Sequence, residues 1–340
     1  MPGSAASTPR KEPLEQAGRL LMIGFEGDDP AEAVSLAEEY RPAGFVFFSR
    51  NYPGSAESLK SLLAEISSGA RRALKRPPIL AVDQEGGTVM RIPLEEASLP
   101  SASEMTAHAR EYGVQSLEYM GYKSGKALKE LGFNMNLAPV LDVGAEGSYI
   151  GTRSFSSDPV VVAENASYFF AGQRRGGILS CAKHFPGLGQ ATVDPHSELP
   201  VVDANVQDVW HRDLRPFREL AGKGIPAIMT THALFRAVDP ALPGTISSRV
   251  VDLLKRDLGF KGLALTDDLE MGAISGTFPM GRLAAEAVSA GHDLVLVCRS
   301  PARIEEAREG LLKAVKDFDI APSRLREARI RLTRLLKRLD

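Results

Sequence analysis

The chain has 340 residues, 44% apolar and 25% charged, the balance of an ordinary globular protein. A formal net charge of −2 excludes an overall pull toward nucleic acid or an anionic membrane, and the basic runs at 71–76 and 329–340 read as solvated helix faces. The two cysteines, Cys181 and Cys298, stand in apolar runs without CxxC spacing, which argues against a disulfide framework or a cysteine zinc site and suits a reducing compartment.

In chain order, residues 1–13, "MPGSAASTPRKEP", are small and polar, and the apolar run that follows is far too short to span a bilayer. A flexible tail is expected over 1–13, a single domain over 14–340, and the cytoplasm as location. Eight apolar runs then recur: "LLMIGFEG", "GFVFFS", "ILAVDQEG", "NMNLAPVLDV", "ILSCAKHF", "AIMTTHA", "GLALTDDLEM" and "DLVLVC". Each is too apolar for a half-solvated antiparallel strand. Between them lie segments such as "SLKSLLAEISSGARRAL" and "GRLAAEAVSAG", with apolar residues at helical spacing and glycine at several ends. Eight strand–helix units in sequence predict a closed α/β barrel of the (β/α)8 kind, with additional C-terminal helices over the last stretch.

The polar residues fall at the predicted strand ends, where a barrel gathers its chemistry. Asp83, Gln84 and Glu85 end the third strand, Asp142 the fourth, Lys183 and His184 the fifth, His232 the sixth, and Asp267 with Asp268 the seventh. Successive strand residues point to opposite faces, so one of Asp267 and Asp268 is expected to face the pocket while the other binds backbone amides. Asp83 could accept hydrogen bonds from sugar hydroxyls, or Asp83 or Glu85 could pair structurally with Arg91 or Lys183. The run "KHFPGLGQATVDPHSELP", residues 183–200, stays open to several readings. Lys183 could form a Schiff base. His184, Asp194 and His196 could bind a metal, although no HxH or HExxH spacing is present. "GLGQAT" faintly suggests a phosphate loop but lacks the GK[ST] that should follow. Asp194 could instead orient the imidazole of His196 as an acid–base dyad.

Taken in order, "DQEGG" at 83–87, "NLAPVLDV" at 136–143, "IGTRSFSSDP" at 150–159, "KHFPG" at 183–187, "VDPH" at 193–196, "MTTH" at 229–232 and "TDDLEMGA" at 266–273 resemble glycoside hydrolase family 3, and within it the bacterial β-N-acetylhexosaminidases. The resemblance implies a retaining exo-β-N-acetylglucosaminidase that removes terminal GlcNAc from muropeptide fragments, with no cofactor or metal. It implies Asp267 as nucleophile and His196, supported by Asp194, as acid/base. Asp83, Arg153, Lys183 and His184 match positions that hold the sugar; Arg91 and His232 match less closely, and Met271 would line the pocket wall. The partner is then a small carbohydrate rather than nucleic acid or membrane, and a monomer is expected. A family 3 β-glucosidase, an N-acetylglucosamine phosphorylase and a non-catalytic sugar-binding barrel are the alternatives. Three positions depart from the common family pattern: Thr88 replaces Arg, Leu188 replaces His and Pro195 replaces Ser. None removes a residue assigned to bond breaking, but aglycone preference could change.

Overall fold

The computed structural model describes residues 11–144, 147–191, 193, 198–276 and 278–339. Eight parallel strands close a barrel in which each strand lies beside its sequence neighbours. They are β1 Leu21–Ile23, β2 Gly44–Phe47, β3 Ile79–Val82, β4 Met135–Asn136, β5 Leu179–Phe185, β6 Ala227–Thr230, β7 Leu263–Asp268 and β8 Leu294–Val297. All eight were expected from their apolar runs. Of the tail expected over 1–13, residues 1–10 lie outside the described residues, and 11–13 open the helix Lys11–Gly18.

Strand residues alternate between two apolar environments, as a period of two requires. Met22, Val46, Ala81, Met135, Cys181, Ala227, Leu263 and Leu296 fill the barrel interior. Leu21, Ile23, Phe45, Phe47, Leu80 and Val82 face outward into the layer beneath the helices. Burial on both faces explains why the strands read as continuous apolar runs. The fourth strand is shorter than its run. Pro139 has no N–H to donate, and regular pairing stops at Asn136. A bridge between Val140 and Lys183 nevertheless keeps the chain beside β5 and delivers Asp142 to the barrel mouth.

A helix follows every strand: α1 Pro30–Tyr40, α2 Ala56–Leu74, α3 Gln115–Leu131, α4 Pro159–Arg175, α5 Leu214–Gly222, α6 Ser248–Asp252, α7 Met280–Ala290 and α8 Pro301–Lys316. Asp29, Ser55, Asp158, Ser247 and Ser300 cap their first turns by accepting backbone N–H groups. Helices α3 and α4 touch backbone to backbone. A Cβ on Gly121 would stand 2.3 Å from the Phe169 carbonyl oxygen, and one on Gly172 would stand 2.1 Å from that of Glu118. One further helix, Ala102–Tyr112, is missing from the sequence reading although Ser101 and Glu104 form its capping box.

The expected C-terminal helices are α8 and Pro322–Leu336. Leu332, Leu335 and Leu336 of the latter join the barrel-interior cluster, so this helix covers the end opposite the strand C-termini. Asp293, just before β8, anchors it. Its fully buried carboxylate takes Lys255 Nζ at 2.8 Å, the Arg324 guanidinium, and the Ala264 N–H at 2.9 Å. Asp293→Ala would take the buried carboxylate from both cations, leaving Lys255 and Arg324 to share the half-exposed Glu327. We expect it to cost roughly 3–5 kcal/mol in urea unfolding, with activity per folded molecule unchanged because the site lies at the other end.

Candidate active site

The strand C-termini surround a cavity of about 290 Å³. Asp83, Arg91, Arg153, Lys183, His184, Asp267 and Met271 line it, brought together from β5, β7 and the segments that follow β3, β4 and β7. Asp194 and His196 lie outside the described residues, as does Pro195.

Lys183, 3% exposed, is the hub of the floor. Its Nζ lies 2.5 Å from Asp83 Oδ1 and 2.6 Å from Glu85 Oε1. Glu85 also accepts a two-pronged contact from Arg153, Nε to Oε2 at 2.8 Å and Nη2 to Oε1 at 2.9 Å. Burial opposes the charge on Lys183, but Asp83 and Glu85 outweigh it and raise the ammonium's pKa. Burial likewise disfavours an ionised Glu85, yet Lys183 and Arg153 hold it well below the usual carboxylate range. A Schiff-base lysine must be available as a neutral amine. This one is held protonated between two carboxylates, which removes the aldolase reading. Both structural pairings foreseen for Lys183 are present, and Glu85 pairs with Arg153 rather than Arg91.

The two aspartates ending β7 have been given different environments. The register between β7 and β8 slips between Leu265 and Asp268. Both residues border the cavity, but their carboxylates have different partners. Asp268 Oδ1 is taken by the backbone amides of Glu270 at 3.1 Å and Cys298 at 3.2 Å. Burial pushes its pKa up to about 7. Asp267 Oδ1 accepts the Asp268 N–H at 2.8 Å. Burial pushes Asp267 up as well, but His184, His232, that amide and Lys183 prevail and leave it below the ordinary aspartate range. Adjacent carboxyls with pKa values driven apart are the pattern of a site in which one must stay ionised.

His184 is oriented from behind. Its Nδ1 lies 2.7 Å from Asp142 Oδ2, so the carboxylate fixes Nδ1 as the donor. Asp142 is fully buried and its other oxygen accepts the Leu188 N–H at 2.6 Å. His232 is also fully buried and is not part of the cavity lining. Its Nε2–H donates to the Asp268 carbonyl at 2.8 Å, and its Nδ1 meets Thr245 Oγ1 at 2.6 Å. The imidazole thus braces the peptide that follows Asp268. At the rim, the Arg91 guanidinium lies 5.9 Å from the centre of the Phe48 ring. Glu85 and Asp142 were noted as strand ends but given no part in holding the sugar. The signal for Glu85 was present, since residues two apart on a strand share a face and Asp83 and Glu85 stand at that spacing. Asp142's role needs the three-dimensional proximity of β5, which no local pattern announces.

A parallel barrel whose C-terminal mouth gathers aspartates beside a cluster of hydrogen-bonding charges has the build of a barrel enzyme. The model of the glycosyl hydrolase family 3 N terminal domain matches residues 14–335. The chain therefore belongs to glycosyl hydrolase family 3 and is a glycoside hydrolase. It is 38% identical over 306 residues to a β-hexosaminidase of Alkalilimnicola ehrlichii, covering 88% of this chain and 85% of that one. A family 3 β-N-acetylglucosaminidase from Paenibacillus superposes with a TM-score of 0.92 at 34% identity; the match covers 96% of this chain but spans only 62% of that longer one. A β-N-acetylhexosaminidase from Beutenbergia cavernae superposes at 0.87 with 26% identity, covering 96% and 98%. Among the described residues no helix is long and apolar enough to cross a membrane, and no cluster of His, Cys, Asp and Glu is arranged to hold a metal.

Asp268 supplies a test of this electrostatic division. Its raised pKa favours the folded state most below pH 4, and that contribution is lost as pH rises toward about 7. Asn keeps an oxygen for both amides without the charge. Asp268→Asn should therefore match the parent's melting temperature near pH 4 and exceed it by roughly 2–5 °C above pH 8. A constant difference across that range would contradict the assignment.

Proposed function

We propose that the protein is a retaining exo-β-N-acetylglucosaminidase that removes the terminal non-reducing GlcNAc, with muropeptide fragments of the cytoplasm as its substrates. The observation that carries the reading is the ionised Asp267, held at the cavity wall beside Lys183 and His184 while its neighbour Asp268 is occupied by backbone amides. The names of the relatives support the sugar. The cavity's size supports exo action. At about 290 Å³ it sits at the small end of ligand sites, which run from roughly 300 to 1,000 Å³, and suits one sugar ring rather than a chain.

In this reading Asp83, Lys183, His184, Arg153 and Arg91 hold the terminal sugar through charge-assisted hydrogen bonds. A carboxylate oxygen of Asp267 attacks the anomeric carbon as the glycosidic C–O bond breaks. Protonated His196, its proton affinity supported by Asp194, gives its proton to the leaving oxygen. The glycosyl ester on Asp267 is then opened by water, whose proton returns to the now neutral imidazole. An imidazole suits both transfers because its unperturbed pKa lies near neutrality. Asp267 needs the opposite tuning, because a protonated carboxyl cannot attack. No step calls for a metal or a cofactor.

General acid catalysis contributes roughly 10²–10⁴ in rate, and contributes most when the leaving group is a sugar alkoxide. His196→Ala should lose about that factor on a GlcNAc disaccharide, while the formation of the glycosyl-enzyme from a nitrophenyl glycoside should be nearly unaffected. Azide, which needs no deprotonation, should restore turnover of the nitrophenyl substrate and give a β-glycosyl azide. Equal loss on both substrates without azide rescue would reduce His196 to a shaping role.

A further inference from the structure

Leu188, one of the departures from the family pattern, does not sit as an isolated apolar substitution. With Ala191, Val202, Ala233 and Phe235 it forms a small hydrophobic cluster separate from the main cores, and Tyr149 packs against it. Each of the five is at most 3% exposed. Leu188 and Ala191 precede the segment carrying Asp194 and His196, and Val202 follows it. The cluster thus joins the two ends of that segment.

Polar contacts fix each end separately. At the start, Leu188 N–H donates to Asp142 at 2.6 Å, Ala191 N–H donates to the Leu188 carbonyl at 2.9 Å, and Gln190 Nε2 donates to the buried Asp213 Oδ2 at 3.1 Å. At the far end, Val201–Val202 pairs in parallel with Leu234–Phe235, and Leu234 N–H donates to the Pro200 carbonyl at 2.9 Å. The side chains of Leu188, Val202 and Phe235 provide the link between these two anchorages. A histidine at 188 would bring a polar ring into this apolar cluster, where it would need a hydrogen-bond partner.

We propose that this cluster is a clasp: Leu188, Val202 and Phe235 are positioning residues that set the placement of the acid/base segment by holding its ends together. The proposal rests on the reading of His196 as acid/base. It concerns a part of that machinery that touches neither the sugar nor the reacting atoms. Leu188 also lines the cavity, so the informative variants are at Val202 and Phe235, which do not. A clasp acting through His196 affects the step that needs a proton, whereas a merely structural contact affects all substrates alike.

The test is kinetics of Val202→Ala, Phe235→Ala and Phe235→Leu on a GlcNAc disaccharide and on the nitrophenyl glycoside, with His196→Ala alongside and single-turnover formation of the glycosyl-enzyme followed for each. The two alanine variants should lower kcat on the disaccharide by about tenfold or more, with KM and glycosyl-enzyme formation from the nitrophenyl substrate changed by less than about threefold. Phe235→Leu should retain the parent's behaviour on both, because it keeps a large apolar side chain in the clasp. Equal losses on the two substrates, or full disaccharide turnover by folded Val202→Ala, would overturn the clasp. Equal losses in His196→Ala itself would instead overturn the acid/base reading beneath it.

Discussion

The ammonium of Lys183 is the constraint on which the site is built. A charge removed from water inside a barrel is costly by several kcal/mol unless it is paired and hydrogen-bonded. Lys183 meets that requirement with Asp83 at 2.5 Å and Glu85 at 2.6 Å. Two carboxylates against one ammonium would leave excess negative charge, and the guanidinium of Arg153 on Glu85 restores the balance. The four side chains therefore fix one another, and the position of Asp83 at the cavity follows from the same contacts that make burial tolerable. Preorganised groups of this kind lose little freedom when a sugar replaces water around them.

The barrel extends this logic to the aspartates of β7. A parallel strand ends in carbonyls and amides that need partners, and the slip between β7 and β8 leaves amides of Glu270 and Cys298 for Asp268. Asp268 is thereby committed to the backbone, with its carbonyl held by His232. Asp267 keeps the neighbourhood of Lys183 and His184. In the proposed mechanism this division separates a carboxylate that attacks from one that only holds the turn. Asp142 connects the floor with the segment after β5, since one carboxylate serves both the His184 ring and the Leu188 amide.

Much of the fold was legible because burial on both faces of a parallel strand leaves a continuous apolar run, and each of the eight runs became a strand. What was illegible involved pairing rather than pattern. The early end of β4 at Asn136 and the register slip beside Asp268 depend on which backbone groups find partners across strands. Of the site residues, those at strand ends could be gathered in advance, and seven line one cavity: Asp83, Arg91, Arg153, Lys183, His184, Asp267 and Met271. His232 matched a sugar-holding position by motif but is buried behind the site, a distinction that only side-chain direction reveals. The partner of His184 was hidden because Asp142 lies 42 residues earlier in the chain.

The claim at the centre of this account is that Asp267, and not its neighbour, forms the covalent glycosyl ester. A 2-fluoro β-glycoside with a good leaving group slows the breakdown of such an ester, because the fluorine destabilises the oxocarbenium-like transition state and the intermediate can accumulate. Peptide mass mapping of the inactivated protein should place one fluorosugar on Asp267, and release of the sugar from a natural substrate should proceed with retention of the β configuration. A label on Asp268 or Glu85, or inversion at the anomeric carbon, would contradict the account.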